Sequence, residues 1–282
     1  VIDEYSRELT KIRTVKKIPL TAATHLAGTL LFDKFGKLYV SVGDGGGGDP
    51  NEQAQDLHSL KGKIFRMDVS QADPELEVVA YGLRNPWKIS IDSKNRMFVG
   101  DCGWNTVESV YLIDDLYPTT PYNLGWSVFE GTKRIKSDPL MLHNTLAPIY
   151  EYRHYTGVGI CVIGGFFLDG PDVYIFGDIL GQLRLLKEQQ DGKWREVYLQ
   201  QTETDIWSFG YDQKTKKLIS ENGIRNIAIM SIAPTGSISN IVLSYTIGKK
   251  NYIGVSGGVE PIFAAYYTRR SESFGNKFFK IF

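Results

Sequence analysis

The sequence predicts an all-β fold, and three observations support this prediction. Apolar and polar residues alternate with a period of two along much of the chain, as they do in strands that bury one face. One short hairpin pattern recurs with variable loops between its copies, and 42% hydrophobic content over 282 residues supplies a sizeable core. Such recurrence is typical of a β-propeller, in which each blade must stack on its neighbours to bury its faces. A β-sandwich is the alternative, because it also has evenly spaced strands.

The repeated unit consists of two strands joined by a tight turn. Its four copies have strands at residues 30–32 and 37–42, 88–91 and 96–99, 165–168 and 173–176, and, in the loosest copy, within 207–219. In the first three copies the second strand runs into a Gly-Asp pair, which ends at Asp44, Asp101 or Asp178. A turn and an ending that recur together favour the propeller over the sandwich.

The residues after the first hairpin predict the one helix expected before residue 221. Asp49 is a suitable N-cap, Pro50 fits the first helical position, and Ala54, Leu57 and Leu60 would share one face. A short helix of this kind can sit in a loop between blades.

The glycine-rich run at residues 43–48 satisfies the pattern GxGxxG, which also occurs in dinucleotide-binding folds. That alternative requires parallel strands, whereas the flanking strands belong to predicted antiparallel hairpins. A turn-forming loop is therefore favoured. In it, Asp44 and Asp49 would either offer oxygen ligands to Ca²⁺ or accept hydrogen bonds from local backbone amides.

Charge and composition exclude several classes of protein. The 32 basic and 32 acidic side chains cancel, so no nucleic-acid partner is expected, and no apolar run is long enough to span a membrane. The cancellation is uneven, because residues 221–282 carry a net charge of +4 and residues 1–220 a net charge of −4. Two cysteines allow at most one disulfide and cannot form a cysteine-only metal site. The chain opens with neither Met nor an apolar signal segment, so we expect its start to be processed, truncated or unobserved.

Three loop segments carry candidate functional residues. His25 lies among small residues at the entry to the first hairpin, where a ligand could reach its imidazole, although a lone histidine is more often structural. Arg84 and Asn85 lie in a turn before the second hairpin, where the guanidinium could bind carboxylates or carbonyls or close the turn with a salt bridge. Residues 101–108 form a glycine-bearing acidic loop whose oxygens would suit Ca²⁺. The patterns of zinc hydrolases, serine hydrolases and P-loop NTPases are absent from the sequence.

Taken in order, seven short motifs over residues 1–220 resemble the glucose/sorbosone dehydrogenase family, which includes soluble aldose dehydrogenases that use pyrroloquinoline quinone (PQQ) and the Hedgehog-interacting-protein-like proteins. The motifs lie at residues 25–28, 36–46, 60–64, 82–87, 101–108, 123–126 and 163–165. The family fold is a six-bladed propeller with the quinone across one mouth. Because 24 residues precede His25, the resemblance implies a propeller that is incomplete at its N-terminus.

The resemblance also implies roles for individual residues. His25 matches the base that takes the proton of the sugar C1 hydroxyl, and Arg84 and Asn85 match groups beside the quinone carbonyls. The carbonyls of Gly103 and Trp104, with the Glu108 carboxylate, match a Ca²⁺ site, and Arg184 matches a group that binds a cofactor carboxylate. Trp104 stands where the family has a glutamine, and Gln182 where a basic residue is common. The electron acceptor is not indicated, and the family implies a periplasmic or extracellular location.

The tail, residues 221–282, resembles the C-terminal part of a ribonucleotide reductase large subunit. In that family a Pro-Thr-Gly-Ser turn presents amides and hydroxyls to substrate phosphates, and Pro234, Thr235, Gly236 and Ser237 match it. Both cysteines lie in the other segment, so the tail alone is not expected to reduce nucleotides. A short segment without an independent function is the alternative.

Three functions follow, in order of preference. The first is PQQ-dependent oxidation of an aldose at C1 to the lactone, with Ca²⁺ as a second cofactor. The second is a propeller without catalytic activity that binds a protein or glycan, and the third is phosphate binding by the tail. An oligomer or a partner that completes the propeller is also possible on this interpretation.

Overall fold

The structure is a computed structural model that describes residues 1–6, 9–22, 24–26, 28–137, 144–154, 159–202 and 205–206, together with the backbone of four strands between residues 242 and 281. The chain divides into two compact units, Val1–Ala228 and Ile229–Phe282. Residues 207–219, which carry the fourth predicted hairpin, and the turn from Pro234 to Ser237 lie outside the described residues.

Strands account for all the regular structure in the described part of the chain. They are β1 (Ile2–Tyr5), β2 (Lys11–Lys16), β3 (Leu30–Phe32), β4 (Leu38–Val42), β5 (Lys63–Met67), β6 (Glu77–Tyr81), β7 (Pro86–Ile91), β8 (Met97–Asp101), β9 (Val107–Ile113), β10 (Tyr122–Asn123), β11 (Phe129–Glu130), β12 (Lys133–Arg134), β13 (Tyr150–Arg153), β14 (Val162–Leu168), β15 (Val173–Asp178), β16 (Gln182–Glu188), β17 (Trp194–Gln201), β18 (Val242–Ile247), β19 (Lys250–Val255), β20 (Tyr267–Ser271) and β21 (Lys277–Ile281). The all-β prediction is therefore confirmed.

Three sheets of the first unit have the up-and-down strand order of propeller blades. Their orders are β10-β6-β5-β4-β3, β13-β9-β8-β7 and β14-β15-β16-β17, and all neighbours are antiparallel except β10 and β6. The predicted hairpins at residues 30–42, 88–99 and 165–176 are the pairs β3–β4, β7–β8 and β14–β15. The propeller-type architecture is thus confirmed, whereas six blades and an incomplete N-terminus stay predictions.

The three sheets are joined by two buried apolar layers. One layer contains side chains of the first and second sheets, including Tyr39, Ile64, Ile89 and Val99. The other contains side chains of the second and third sheets, such as Phe98 stacked on Tyr174 at 4.5 Å between ring centroids. Each fully buried side chain of this size stabilises the stack by about 1.5–3 kcal/mol. The far face of the first sheet packs against the hairpin β1–β2.

The Gly-Asp ending of the repeat has the same structural role in each sheet. Asp101 accepts the backbone amides of Arg84 and Asn85, and Asp178 accepts those of Cys161 and Leu180. Asp44 likewise accepts the amide of a neighbouring loop residue, Gly46. All three carboxylates are buried at the end of the second strand, where they fix the loops that cross this end of the sheets.

The predicted helix after Asp49 is wrong. Asp49 does accept the amides of Gln53 and Ala54, as an N-cap would, but no helix follows in this described stretch. The ammonium of Lys63 binds the carbonyl oxygens of Gln53 and Ala54 at 3.0 Å each and that of Lys61 at 2.6 Å. Because these carbonyls serve a buried cation, the chain makes successive turns instead of a helix.

An insertion between β9 and β13 brings a distant segment to the first sheet. Its strand β10 pairs in parallel with β6, and the amides of Leu124 and Trp126 continue this pairing by donating to the carbonyls of Tyr81 and Gly82. Trp126 is thereby placed beside the turn that carries Arg84. Among the described residues, no helix is long and apolar enough to cross a membrane.

Candidate functional site

His25 and Asp44 form a hydrogen-bonded pair at the entry to the first sheet. The Nδ1 atom of His25 lies 2.7 Å from Oδ1 of Asp44, whose side chain is fully buried, while the imidazole is 17% exposed. His25 adopts a left-handed backbone conformation, with φ of +52°, which costs a residue with a Cβ roughly 1–2 kcal/mol. A buried carboxylate and a partly accessible imidazole are the elements of a general base with an orienting group.

Gly43 allows the His25 segment and the Arg84 turn to approach each other. A Cβ atom at this position would lie 2.6 Å from the carbonyl oxygen of His25 and 3.0 Å from that of Arg84. The amide of Asp44 then donates to the Arg84 carbonyl at 2.8 Å. The glycine in the predicted motif therefore has a packing function, because it lets the backbones of His25 and Arg84 lie on either side of it.

Asp44 is held in its ionised form by three donors. Burial opposes ionisation, but hydrogen bonds from His25 and from the Gly46 amide outweigh it, so the pKa of Asp44 lies below its ordinary value. The third donor is the indole N–H of Trp126, which lies 2.9 Å from Oδ2. Both aspartates already have hydrogen-bond donors, so their burial does not require a bound cation. Asp49 accepts local backbone amides, and Asp44 accepts the three groups just described.

Arg84 extends from the turn before β7 towards the loop after β8. Its guanidinium donates to the carbonyls of Cys102, at 3.0 Å, and Gly103, and it lies 5.7 Å from the ring centroid of Trp126. Among the described residues its Nε has no hydrogen-bond partner although it is buried. Beneath it, burial raises the pKa of the Asp101 carboxyl to about 7, against the opposing effect of the Arg84 and Asn85 amides.

The loop after β8 is wrapped around one carboxylate, Glu130. Its Oε1 accepts the amides of Trp104, Asn105 and Thr106 at 2.7–2.9 Å, and its Oε2 accepts the Thr106 hydroxyl at 2.6 Å. Burial opposes ionisation, yet these donors lower the pKa of Glu130 below its ordinary value. The loop presents the Trp104 ring, 41% exposed, edge-on to Trp126 with centroids 5.9 Å apart.

A crevice lies between Arg84 and the Glu130 loop. It is lined by Arg84, Asp101, Gly103, Val107, Ser109, Tyr111, Trp126, Phe129, Glu130 and Gly131. His25 does not line it and is connected to it through Asp44 and Trp126. The disulfide between Cys102 and Cys161, the one that the sequence allows, ties the loop after β8 to the start of β14.

The residues predicted to bind Ca²⁺ are arranged differently. Oε2 of Glu108 accepts the amides of Gly103 and Val162 at 2.9 and 2.8 Å, and its Oε1 is bonded to the His154 imidazole. The Gly103 carbonyl accepts the Arg84 guanidinium. Among the described residues, no group of three His, Cys, Asp or Glu side chains could hold a metal ion. Two of the three residues predicted to bind Ca²⁺, Gly103 and Glu108, thus already accept hydrogen bonds from protein donors.

The His154–Glu108 pair is a buried structural contact. The hydrogen bond to Glu108 raises the pKa of His154, whereas burial raises the pKa of Glu108. Both shifts favour keeping a proton on this pair.

Arg184 lies on β16 in the third sheet, apart from the His25 group. Its fully buried guanidinium donates to Glu196, to the Tyr150 hydroxyl at 3.2 Å and to Gln182 at 2.6 Å, and lies over the Tyr152 ring. The backbone of Asn85 contributes to the site by donating to Asp101 at 2.7 Å. Sequence reasoning did not assign a role to Trp126 or Glu130, although residues 123–126 form one of the seven motifs.

The fold is that of a β-propeller-type protein. The chain belongs to the Glucose / Sorbosone dehydrogenase family, which it matches over residues 3–176. Residues 187–281 match the barrel domain of ribonucleotide reductase. That second match begins in the third sheet, so β17 pairs with β16 in the blade although it lies in the segment that matches the reductase.

Individual relatives agree with the family assignment. The HIPL1 protein of Arabidopsis thaliana is 29% identical in an alignment that covers 89% of this chain and 40% of the relative. An aldose sugar dehydrogenase of Escherichia coli is 23% identical over 171 residues, which cover 54% and 44%. The chain thus spans less than half the length of these relatives.

Two solved structures share the fold. One is the PQQ-bound aldose sugar dehydrogenase of Streptomyces coelicolor, with a TM-score of 0.52 and 20% identity, covering 68% of this chain and 57% of that one. The other is a carbohydrate-active enzyme of family AA12 from Trichoderma reesei, with a TM-score of 0.55 and 13% identity, covering 72% and 63%.

Proposed function

We propose that this chain is part of a quinoprotein that oxidises an aldose at C1 to the lactone with PQQ. The observation that carries the proposal is the His25–Asp44 pair, held beside Arg84 at the end of the first two sheets. The family and the PQQ-bound Streptomyces coelicolor structure support the choice of cofactor. We also propose that the propeller part of the chain ends near residue 220 and that residues 221–282 form a separate segment.

The residues present fit a quinone with carboxylate and carbonyl oxygens. Arg84 offers a buried Nε that has no partner in the described part of the chain, and a guanidinium is suited to planar oxygen groups. Trp104 offers an exposed aromatic ring that packs edge-on against Trp126. When bound, PQQ supplies the acceptor for the hydride that leaves the sugar C1 carbon.

The hydrogen bond to Asp44 determines which nitrogen of His25 acts as base. An ionised carboxylate only accepts, so the proton of the neutral imidazole lies on Nδ1 and the lone pair lies on Nε2. His25 can then take the proton of the C1 hydroxyl at Nε2, while Asp44 stabilises the resulting imidazolium. Arg84 would stabilise negative charge on neighbouring oxygens. Since Glu108 and Gly103 are occupied by protein donors, no step is assigned to Ca²⁺.

The test is dye-linked oxidation of aldoses by the full chain after addition of PQQ, with and without Ca²⁺. Removal of the base in His25→Ala should lower kcat by about 10²–10⁴-fold, because general-base catalysis contributes that much. His58→Ala is the matched control, since His58 is exposed in a turn and should leave kcat unchanged. Unchanged turnover in His25→Ala would show that the assigned base is wrong.

A propeller that binds a protein or glycan without catalysis is the second candidate. The Glu108 carboxylate favours it, because the amides of Gly103 and Val162 and the His154 imidazole already bind this predicted Ca²⁺ ligand. Calorimetry with PQQ in the presence of Ca²⁺ separates the two candidates: saturable binding supports the dehydrogenase, and absence of binding supports the binding module.

A further inference from the structure

We propose that Trp126 is a positioning residue that sets the proton affinity of His25 by donating its indole N–H to Asp44. The contact itself is independent of any activity, and only its catalytic consequence rests on the proposed function. Neither the sequence motifs nor the family resemblance assigns this role.

The two oxygens of Asp44 divide their donors between them. Oδ1 receives His25 Nδ1 and the Gly46 amide, each at 2.7 Å, while Oδ2 receives the Trp126 indole at 2.9 Å. An indole N–H cannot accept a hydrogen bond and does not titrate near neutral pH. Trp126 therefore competes with His25 for the negative charge of Asp44 at every pH of interest.

The indole is held so that it cannot turn away from Asp44. Trp126 is 3% exposed, its amide donates to the Gly82 carbonyl at 2.9 Å, and its carbonyl accepts a hydrogen bond from Nε2 of Gln55 at 2.6 Å. The ring is also flanked by Arg84 and by Lys136, whose Nζ lies 6.0 Å from its centroid. One side chain thus connects the base, the guanidinium and the Trp104 loop.

The charged groups that face the pair are the same with or without the indole N–H. Arg84 and Asp101 act on Asp44 from the second sheet, with opposite effects on its charge. The ammonium of Lys61 lies next to Gly45, and Lys136 is bonded to the carbonyls of Gly48 and Asp49. These groups remain in a variant at Trp126, so they act on the pair in the wild type and in the variant alike.

In Trp126→Phe, Oδ2 of Asp44 loses the hydrogen bond from the indole N–H, and the carboxylate becomes more basic. A stronger carboxylate stabilises the His25 imidazolium, so the His25 titration midpoint should rise by about 0.5–1 pH unit, the equivalent of one hydrogen bond. If the proposed function holds, the acid limb of the kcat/KM profile should move up by the same amount, with activity recovered at higher pH.

The experiment follows the imidazole resonances by NMR titration of the full chain without quinone or sugar. His25 is assigned by the signals lost in His25→Ala. The matched control is Trp194→Phe, since Trp194 packs in the layer between the second and third sheets. A raised midpoint in Trp126→Phe, with no change in Trp194→Phe, supports the proposal. A midpoint that is the same in wild type and Trp126→Phe, or that moves equally in both variants, overturns it.

A second measurement keeps the proposal testable if Trp126→Phe does not fold. In Asp44→Asn the carboxylate charge is lost while the shape is kept, so the Trp126 indole N–H resonance should move upfield and exchange faster with solvent. An indole resonance that is identical in wild type and Asp44→Asn overturns the proposal. Because neither measurement uses turnover, failure of the sugar oxidation would leave both results intact.

Discussion

Three carboxylates around the site differ in pKa because burial and hydrogen-bond donors are balanced differently at each. Burial opposes the ionisation of all three, but Asp44 and Glu130 receive enough hydrogen bonds to lie below their ordinary pKa. Asp101 receives two backbone amides and is raised to about 7. The balance between burial and hydrogen-bond donors therefore sets the charge of each carboxylate.

We expect Glu130→Gln to loosen the loop that carries Trp104. The amide side chain has the same size but no charge, so the bonds from residues 104–106 lose their charge assistance, at a cost of about 1.5–3 kcal/mol. Urea unfolding at pH 7 measures the loss. A folded pKa below the unfolded value gives stability that is present above pH 4.5 and lost on acidification, so the difference from wild type should shrink below that pH.

Glu151→Gln is the matched control, because Glu151 accepts an amide and a hydroxyl of Thr132 at an exposed edge. Its loss should be below about 1 kcal/mol. Equal losses in the two variants would contradict the role given to Glu130.

At the scale of single residues, short sequence motifs led us to select His25, Arg84 and the loop after β8 as candidates. It did not reveal that Trp126 serves Asp44, since 82 positions separate them and a parallel strand pairing joins them. It also did not reveal that the Glu108 carboxylate faces His154 and Val162. Contacts of this kind depend on tertiary packing and leave no local pattern.

At the scale of elements, alternation was a reliable guide and capping signals were not. The three described hairpins follow their predicted turns, because a period of two, a tight turn and a buried Asp all favour the same structure. The segment after Asp49 has the start signals of a helix, but its carbonyls bind the buried ammonium of Lys63. The Lys63 ammonium donates to the carbonyls of Gln53 and Ala54. The sequence gives no sign of this contact, because Lys63 is simply the first residue of a strand.

Lys63 should give the protein an unusual alkaline dependence of stability. Burial lowers its pKa from 10.5 to about 8, so between these values the unfolded chain binds more protons than the native one. The contribution of Lys63 to the free energy of unfolding therefore rises as pH increases from about 8 to 10.5. Urea unfolding of wild type and Lys63→Met at pH 7, 8.5 and 9.5 isolates this contribution.

Lys63→Met leaves the carbonyls of Gln53, Ala54 and Lys61 without the ammonium and should be destabilised at every pH. Its deficit relative to wild type should grow towards pH 9.5. Lys187→Met, at an exposed position, is the control and should show no such trend. A deficit that is constant from pH 7 to 9.5 would contradict the shifted pKa of Lys63.

At the scale of the whole first unit, the sheets stack through apolar layers while the loops at one end form the polar site. The buried Asp at the end of each second strand explains how one repeat can both stack into the sheets and hold the loops of the polar site. The outer strand of the third sheet lies in the segment that matches the reductase, so the change of resemblance falls inside a blade and not at its edge. Stacking alone does not fix the loop after β8 against the third sheet.

We expect the Cys102–Cys161 disulfide to supply that attachment. It joins the end of the second sheet to the start of the third across 59 residues, and cross-linking a loop of that length stabilises a fold by roughly 4 kcal/mol in the chain-entropy treatment. Cys102→Ala with Cys161→Ala should therefore unfold at lower urea concentration than the oxidised wild type. Reductant should lower the wild-type midpoint towards that of the double variant and leave the double variant unchanged. If reductant has no effect on the wild type, noncovalent contacts, including the Glu108 hydrogen bonds to Gly103 and Val162, are enough to hold the sheets together.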